Sequence, residues 1–168
     1  MQSESALDVI DTQQLRRAFG VFATGVTVVT VGGATPHGMT ANSFAAVSLQ
    51  PPLVLLCVQR DAIMHDALTQ CPLFAVSVLA ASQEPVARHF ADRRRPLGSE
   101  QFQVVDWLPG AATGAPLIAG AAAHLECEVW QTYDGGDHSI FIGRLLSLRR
   151  CAEDVLVFLH GQFHTLAA

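Results

Sequence analysis

Charge is what this 168-residue chain has least of. Asp, Glu, Lys and Arg make up 15% of it, against about 25% in an ordinary soluble domain, while 50% is hydrophobic. A surface so short of charge has to be covered somewhere. A large interface between two copies is the simplest cover, so a homodimer is expected. No basic run is long enough to follow a phosphate backbone and the net charge is −5, which sets nucleic acid aside. The opening MQSESALDVID is polar and acidic, without the charged-then-apolar order of a signal segment, and the apolar runs are broken by Pro51-Pro52 or by Gly and His before they reach bilayer length. The expectation is a cytoplasmic chain with no membrane partner. Cys57, Cys71, Cys127 and Cys151 form no CxxC pair, and each lies in or beside an apolar run, which reads as buried free thiols.

The signatures of side-chain catalysis are missing as well. The chain has no GxGxxG, no GxxxxGK[ST] and no GxSxG. Its seven histidines show no HExxH and no metal-ligand spacing, so no metal site is expected. No carboxylate pair stands out, and no residue is singled out as a catalytic acid, base or nucleophile. An enzyme built this way leaves its chemistry to an organic cofactor.

What is present is a succession of short β-type segments. On length the whole of 1–168 is one domain, with 1–11 expected to be flexible. Residues 12–22 read as a helix capped by Asp11, with Gln14 at the capping-box position and Leu15, Phe19 and Phe22 on one face. The β-branched Val26–Val31 starts the strands, followed by His37–Asn42, Phe44–Leu49 and, after Pro51-Pro52, the continuous apolar run Leu53–Gln59, which suits a strand buried on both faces. Residues 62–70 read as a helix with Ile63, Ala67 and Leu68 on one face, Leu73–Leu79 as a buried strand, 83–91 as a short helix and 92–116 as loop. Leu125–Gln131 alternates, with Leu125, Cys127 and Val129 facing one way and Glu126, Glu128 and Trp130 the other. Gly135-Gly136 then turns the chain into Ser139–Leu148, and Val155–His160 is the last strand. Seven or eight strands joined by short turns, with two or three short helices, predict a mainly β fold: a closed, antiparallel barrel.

The segment Gly38–Phe44, GMTANSF, puts Thr40, Asn42 and Ser43 into an otherwise apolar sheet, with Gly38 and Ala41 leaving the backbone open. A flat ring with a polar edge, such as isoalloxazine, needs that combination. On chemistry alone the plainer reading, a strand turning Thr, Asn and Ser to solvent, is the stronger.

From Phe19 onward the chain resembles the small flavin reductases, a split-barrel family that supplies reduced flavin to two-component monooxygenases. The resemblance rests on FATGVTVVT (22–30), GMTANSF (38–44), VSLQPPLVLLCV (47–58), Phe90-Ala91, GAPLIAGAAAHLEC (114–127), GDHSIFIG (136–143) and HGQFHTL (160–166), all in the family's order. It implies a Greek-key-like antiparallel split barrel, a homodimer with the flavin site near its interface, and reduction of FAD or FMN by NADH, less often NADPH, with reduced flavin released to a flavin-dependent monooxygenase. It implies that Thr40, Ala41, Asn42, Ser43 and Phe44 line the flavin ring and ribityl chain, with Ala46 and Val47 beside them. Cys57, Val58 and Gln59 would face the ring's polar edge. Asp61, Ala62, Ile63 and Met64, with Phe90 and Ala91, would hold the phosphate end, and His138 would neighbour the nicotinamide. The plainer reading of His138 is a turn cap.

Two positions depart from the family's pattern. Many relatives carry Lys, Ser or Thr after the strand that ends here at Gln59, where this chain reads Arg60-Asp61-Ala62-Ile63. Arg60 or the run Arg93–Arg95 is left to supply the positive charge, and a run able to reach an adenylate leans toward FAD. His124 stands where relatives often carry a bulky aromatic. Two other readings are a flavin-binding module without reductase activity and an oxidase of small amines such as a pyridoxamine-phosphate oxidase, which would need a basic substrate pocket.

Overall fold

The computed structural model describes residues 11–151 and 154–166; of the stretch expected to be flexible, 1–10 lie outside the described residues. Helix α1, Thr12–Phe19, is capped by Asp11, whose carboxylate accepts from the Gln13 N–H at 3.2 Å. It ends three residues earlier than expected, where the Gly20 N–H bonds back to Arg16 and Ala18. Its apolar face is uncovered: Phe19 and Phe22 are 73% and 77% exposed.

The strands are β1 (Thr24–Gly25), β2 (Thr27–Val31), β3 (His37–Ala41), β4 (Ala45–Leu49), β5 (Pro52–Gln59), β6 (Leu73–Val78), β7 (Trp107–Pro109), β8 (Pro116–Ile118), β9 (Ala123–Gly135), β10 (His138–Arg150), β11 (Leu156–Leu159) and β12 (Gln162–Thr165). Helix α2 spans Ile63–Gln70 and α3 spans Glu84–Ala91, with a 3₁₀ turn at Gly98–Phe102. The strands exceed the expected seven or eight because β1, β7, β8 and β12 are two to four residues long, too short to show a period.

Seven strands form one sheet in the order β3-β2-β6-β9-β10-β5-β4, antiparallel at every pairing. Its two edge strands, β3 and β4, are consecutive in the chain and joined only by Asn42–Phe44. Four Cα steps of 3.8 Å hold Ala41 within about 15 Å of Ala45. The sheet must therefore curl until its edges nearly meet, and the barrel stays open at that seam. The small sheet β1-β11-β12 and the hairpin β7-β8 flank it.

Two apolar cores lie on opposite faces of β2. Val29 and Val31 join Leu56, Met64, Phe74 and Phe141, while Val26 and Val28 join Leu79, Phe90, Phe102 and Leu156. That is why the β-branched run carries no polar alternation beyond Thr27 and Thr30, whose hydroxyls donate to the Ala41 and Pro116 carbonyls. Strand β6 is likewise buried on both faces.

Three details differ from the sequence reading. Strand β5 alternates: Val54, Leu56 and Val58 enter the core, whereas Leu55, Cys57 and Gln59 are half-buried on the other face. In α2 the buried stripe is Met64 and Leu68, and Ile63 is exposed. Glu126 is buried, because its carboxylate accepts from the Ala112 and Thr113 amides and the Thr113 hydroxyl at 2.8–2.9 Å and so shapes the loop before β8. Of the four free thiols only Cys127 is fully buried; its burial, with Glu126 adding, pushes it up to about 12.

Candidate functional site

A cavity of about 470 Å³ lies along the open seam, within the size range of small-molecule sites. Strand β3 gives one wall, and its position is fixed from behind. Gly38 packs so closely on α3 that a β-carbon there would lie 2.7 Å from the Phe90 ring. The Thr40 hydroxyl donates to the Ala87 carbonyl at 2.7 Å, so this group ties strand to helix while its side chain still borders the cavity. Asn42 is exposed on the cavity wall. The Ser43 hydroxyl donates to the Cys57 carbonyl at 2.8 Å and accepts from the Cys57 N–H at 3.1 Å, clipping the seam to β5.

Most of the residues singled out in the sequence come together here. Thr40, Ala41, Asn42 and Ser43 border the cavity, as do Cys57 and Gln59, the loop Asp61, Ala62, Ile63 and Met64, the helix pair Phe90 and Ala91, and His138. Four do not. Val58 points into the core, because side chains alternate along β5 and its neighbours take the cavity face. Phe44 packs against the same core. Ala46 and Val47 are exposed on edge strand β4.

Burial raises the Cys57 thiol above its ordinary range, so the wall it forms is neutral. His138 sits opposite Gln59 in the β5–β10 register. Its Nδ1 lies 2.7 Å from the Asp137 carboxylate, which is held below its usual range by that hydrogen bond. A carboxylate only accepts, so Nδ1 carries a proton and Nε2 is left outside that bond.

The structure divides the arginines. Arg60 turns away to the β9–β10 hairpin, donating to the Gly136 carbonyl and pairing with Asp134 at 2.8 Å. Arg94 pairs with Asp92 outside the cavity. Arg93 and Arg95 border it. Arg93 donates to Gln59 Oε1 at 3.1 Å and stands 4.0 Å from Asp61. Arg95 is half-buried, donates to the Gly38 and Asp92 carbonyls, and lies over the Phe90 ring at 5.7 Å.

Sequence reasoning passed over His37, Met39 and Leu97, which also border the cavity, and Gln101, which supports it. Only the period-2 alternation of β3 could have pointed to His37 and Met39. His37 is buried and held down at about 4 by desolvation and then by the Arg95 charge. His124 is not on the cavity: it is buried, with Nε2 2.7 Å from the Ile118 carbonyl and Nδ1 unpartnered.

Small, neutral and backbone-rich at the Ser43–Cys57–His138 end and cationic at the other, the cavity fits a planar ring carrying an anionic tail. The model of the flavin reductase like domain matches residues 19–167. The chain belongs to the flavin reductase family. It is 59% identical over 162 residues to an NADH-dependent FAD reductase of Streptomyces globisporus, covering 96% of this chain and 89% of that one. The solved structure of the S. globisporus NADH:FAD oxidoreductase SgcE6 in complex with NAD and FAD fragments superposes with a TM-score of 0.89 at 57% identity, over 94% and 93% of the two chains. BorF, the flavin reductase component of a bacterial two-component tryptophan halogenase, superposes with a TM-score of 0.91 at 55% identity over 94% and 99%.

Proposed function

We propose that this chain is an NADH-dependent flavin reductase, with FAD as its principal flavin, that passes reduced flavin to a separate oxygenase component. The observation that carries the reading is the seam cavity itself, neutral where a ring would stack and arginine-lined where a phosphate would lie. The likeness to an NADH-dependent FAD reductase supports NADH and FAD. The likeness to BorF supports a two-component setting, in which the partner is a flavin-dependent monooxygenase or a halogenase, since both take reduced flavin.

The two bound rings supply the hydride chemistry, and the chain supplies orientation and a partly dry site. Thr40–Ser43, with Cys57 and Gln59 of β5, would border the flavin ring. Arg93, bridging Gln59 and Asp61, is placed for the flavin phosphate and takes the part that Lys, Ser or Thr play in many relatives. His138 offers Nε2 to the nicotinamide amide or ribose. The exposed apolar residues Leu15, Phe19, Val21 and Phe22 of α1 and its following turn, with Val47 and Leu49 on β4, support a homodimer that covers them and brings the seam near the interface. Among the described residues no helix is long and apolar enough to cross a membrane; the NADH requirement supports a cytoplasmic setting.

Steady-state NADH oxidation with FAD, FMN and riboflavin tests the reading. Flavin-dependent turnover is expected, fastest with FAD. Absence of turnover with every flavin and with both NADH and NADPH would overturn it.

A further inference from the structure

Strand β3 runs along the cavity wall from His37 to Ala41, about 13 Å of extended chain, and Ser43 follows after a bend at Asn42. At the Ser43 end, Ser43 is bonded to Cys57, whose strand continues to Gln59 opposite His138; at the His37 end, His37 lies beside Arg95, and Leu97, two residues on from Arg95, borders the same cavity. Arg93 reaches the middle, at Gln59 and Asp61. An isoalloxazine ring at the first end therefore puts its own phosphate near Arg93, and Arg95 lies further along.

We propose that Arg95 is the residue by which this chain selects a flavin dinucleotide over the mononucleotide, its guanidinium receiving the adenylate-side phosphate and Leu97 covering the adenine. The inference rests on the flavin reading above and deepens it.

Arg95 is suited to that part in three ways. First, its position is fixed. Gly38 and Asp92 accept from it through their carbonyls, and the Phe90 ring lies beneath. Gln101, fully buried, accepts from Gly38 N–H at 2.9 Å and faces Arg95 Nε at 3.4 Å, while its amide donates to the Pro36 and Gly98 carbonyls. The loop from Asp92 to Phe102 is thereby pinned to β3. Second, its charge is available. The nearest carboxylate, Asp92, is occupied by the backbone N–H and side chain of Arg94, and the His37 ring beside Arg95 is neutral at pH 7. Third, a donor remains. Of five guanidinium N–H groups, four are directed at Gln101, Asp92, Gly38 and His37, leaving one on Nη1. The chain contains no lysine, so Arg93 and Arg95 are the cations on this wall. Leu97, 55% exposed beside them, is apolar surface at the place where a second nucleotide would extend.

The test is a binding ladder read by quenching of flavin fluorescence: FAD, FMN and riboflavin against the wild type, Arg95→Met and Leu97→Glu. Arg95→Met is expected to weaken FAD by about tenfold to a hundredfold, the loss of a charge-assisted hydrogen bond, with a much smaller effect on FMN and none on riboflavin. Leu97→Glu changes an exposed side chain, leaves the buried contacts in place and is expected to weaken FAD several-fold while sparing FMN; it decides the matter where Arg95→Met fails to fold. An unchanged FAD-to-FMN affinity ratio in the folded variants overturns the proposal, as does an equal loss for all three flavins. NADH oxidation by the wild type, run alongside, separates the two readings: turnover with no change in the ratio removes only the role of Arg95, and no turnover removes the reductase while the ladder still tests selection.

Discussion

The two ends of the cavity are built on different plans. The Ser43 end is made by the sheet: Ser43 is clipped to the Cys57 backbone, Gln59 and His138 are register partners on β5 and β10, and the thiol of Cys57 is neutral. The His37 end is made by a loop. The chain from Asp92 to Phe102 crosses the edge of β3 and is held there by the buried amide of Gln101, the half-buried cation Arg95, the His89 ring on the Gln101 carbonyl and the buried Phe102 at its end. A ring that must stack at close approach is met by strands, which hold geometry through many backbone hydrogen bonds. A charged tail is met by a loop, held mainly by side-chain contacts. The loop end should therefore be the more fragile to single substitutions.

Gln101→Ala is the strongest test of that difference. It leaves the Gly38 N–H and the Pro36 and Gly98 carbonyls without their partner and removes most of a fully buried side chain. Unpaired buried groups plus lost packing amount to about 4 kcal/mol, read as a fall in the urea midpoint with little change in slope. A loss under about 1 kcal/mol would show that the loop is held by something else.

Acid should act on the same end. The His37 imidazole, ordinarily near 6.5, is held at about 4 in the folded chain by burial and by Arg95. The unfolded chain therefore takes up a proton below 6.5 that the folded chain refuses until about 4. This contribution is fully present above pH 6.5, is lost as pH falls through that window, and is constant below it. The loss totals about 3 kcal/mol. Denaturant midpoints from pH 7 to 4 should show that slope, and it should be absent in His37→Gln. At the other end Cys57, raised by burial, has no effect in acid.

How much of this was legible in the sequence divides along the same line. GMTANSF, the run into Gln59 and the GDH before β10 are local strings, and the sheet carries them to one place because antiparallel register is set by turns a few residues away. The loop end was visible only as three arginines, with nothing in their spacing to say that Arg93 would face the cavity, Arg94 would leave it and Arg95 would be half-buried. Those outcomes depend on Gln101 reaching Gly38 across 63 positions, a contact with no sequence period. The alternation of β5 was missed for a related reason. Leu55 and Cys57 are as apolar as the core residues between them, so composition could not show that one face borders the cavity.

At the sheet end, smaller effects are expected. Ser43→Ala removes a hydroxyl that both donates to and accepts from the Cys57 backbone. The groups left behind are only part-buried and can recruit water, so the cost is about 1–2 kcal/mol, and β4 and β5 still hold the seam through their own ladder. Calorimetric melting should register it as a modest fall in Tm. Asn42→Ala leaves the fold alone, since that side chain is exposed, and should raise the flavin Kd several-fold.

The smallest expected effect separates the two substrates. With its Nδ1 proton held by Asp137, His138 has only Nε2 to offer, and a single hydrogen bond is worth about 1 kcal/mol. His138→Ala should therefore raise the KM for NADH by about fivefold and leave the flavin Kd untouched. Asp137→Asn, which removes the carboxylate that fixes the tautomer but keeps a hydrogen-bond partner, should move the same parameter by about twofold. If His138→Ala instead weakened flavin and left NADH unchanged, the nicotinamide would have to stack elsewhere along the seam, and the neutral end would be a flavin wall alone.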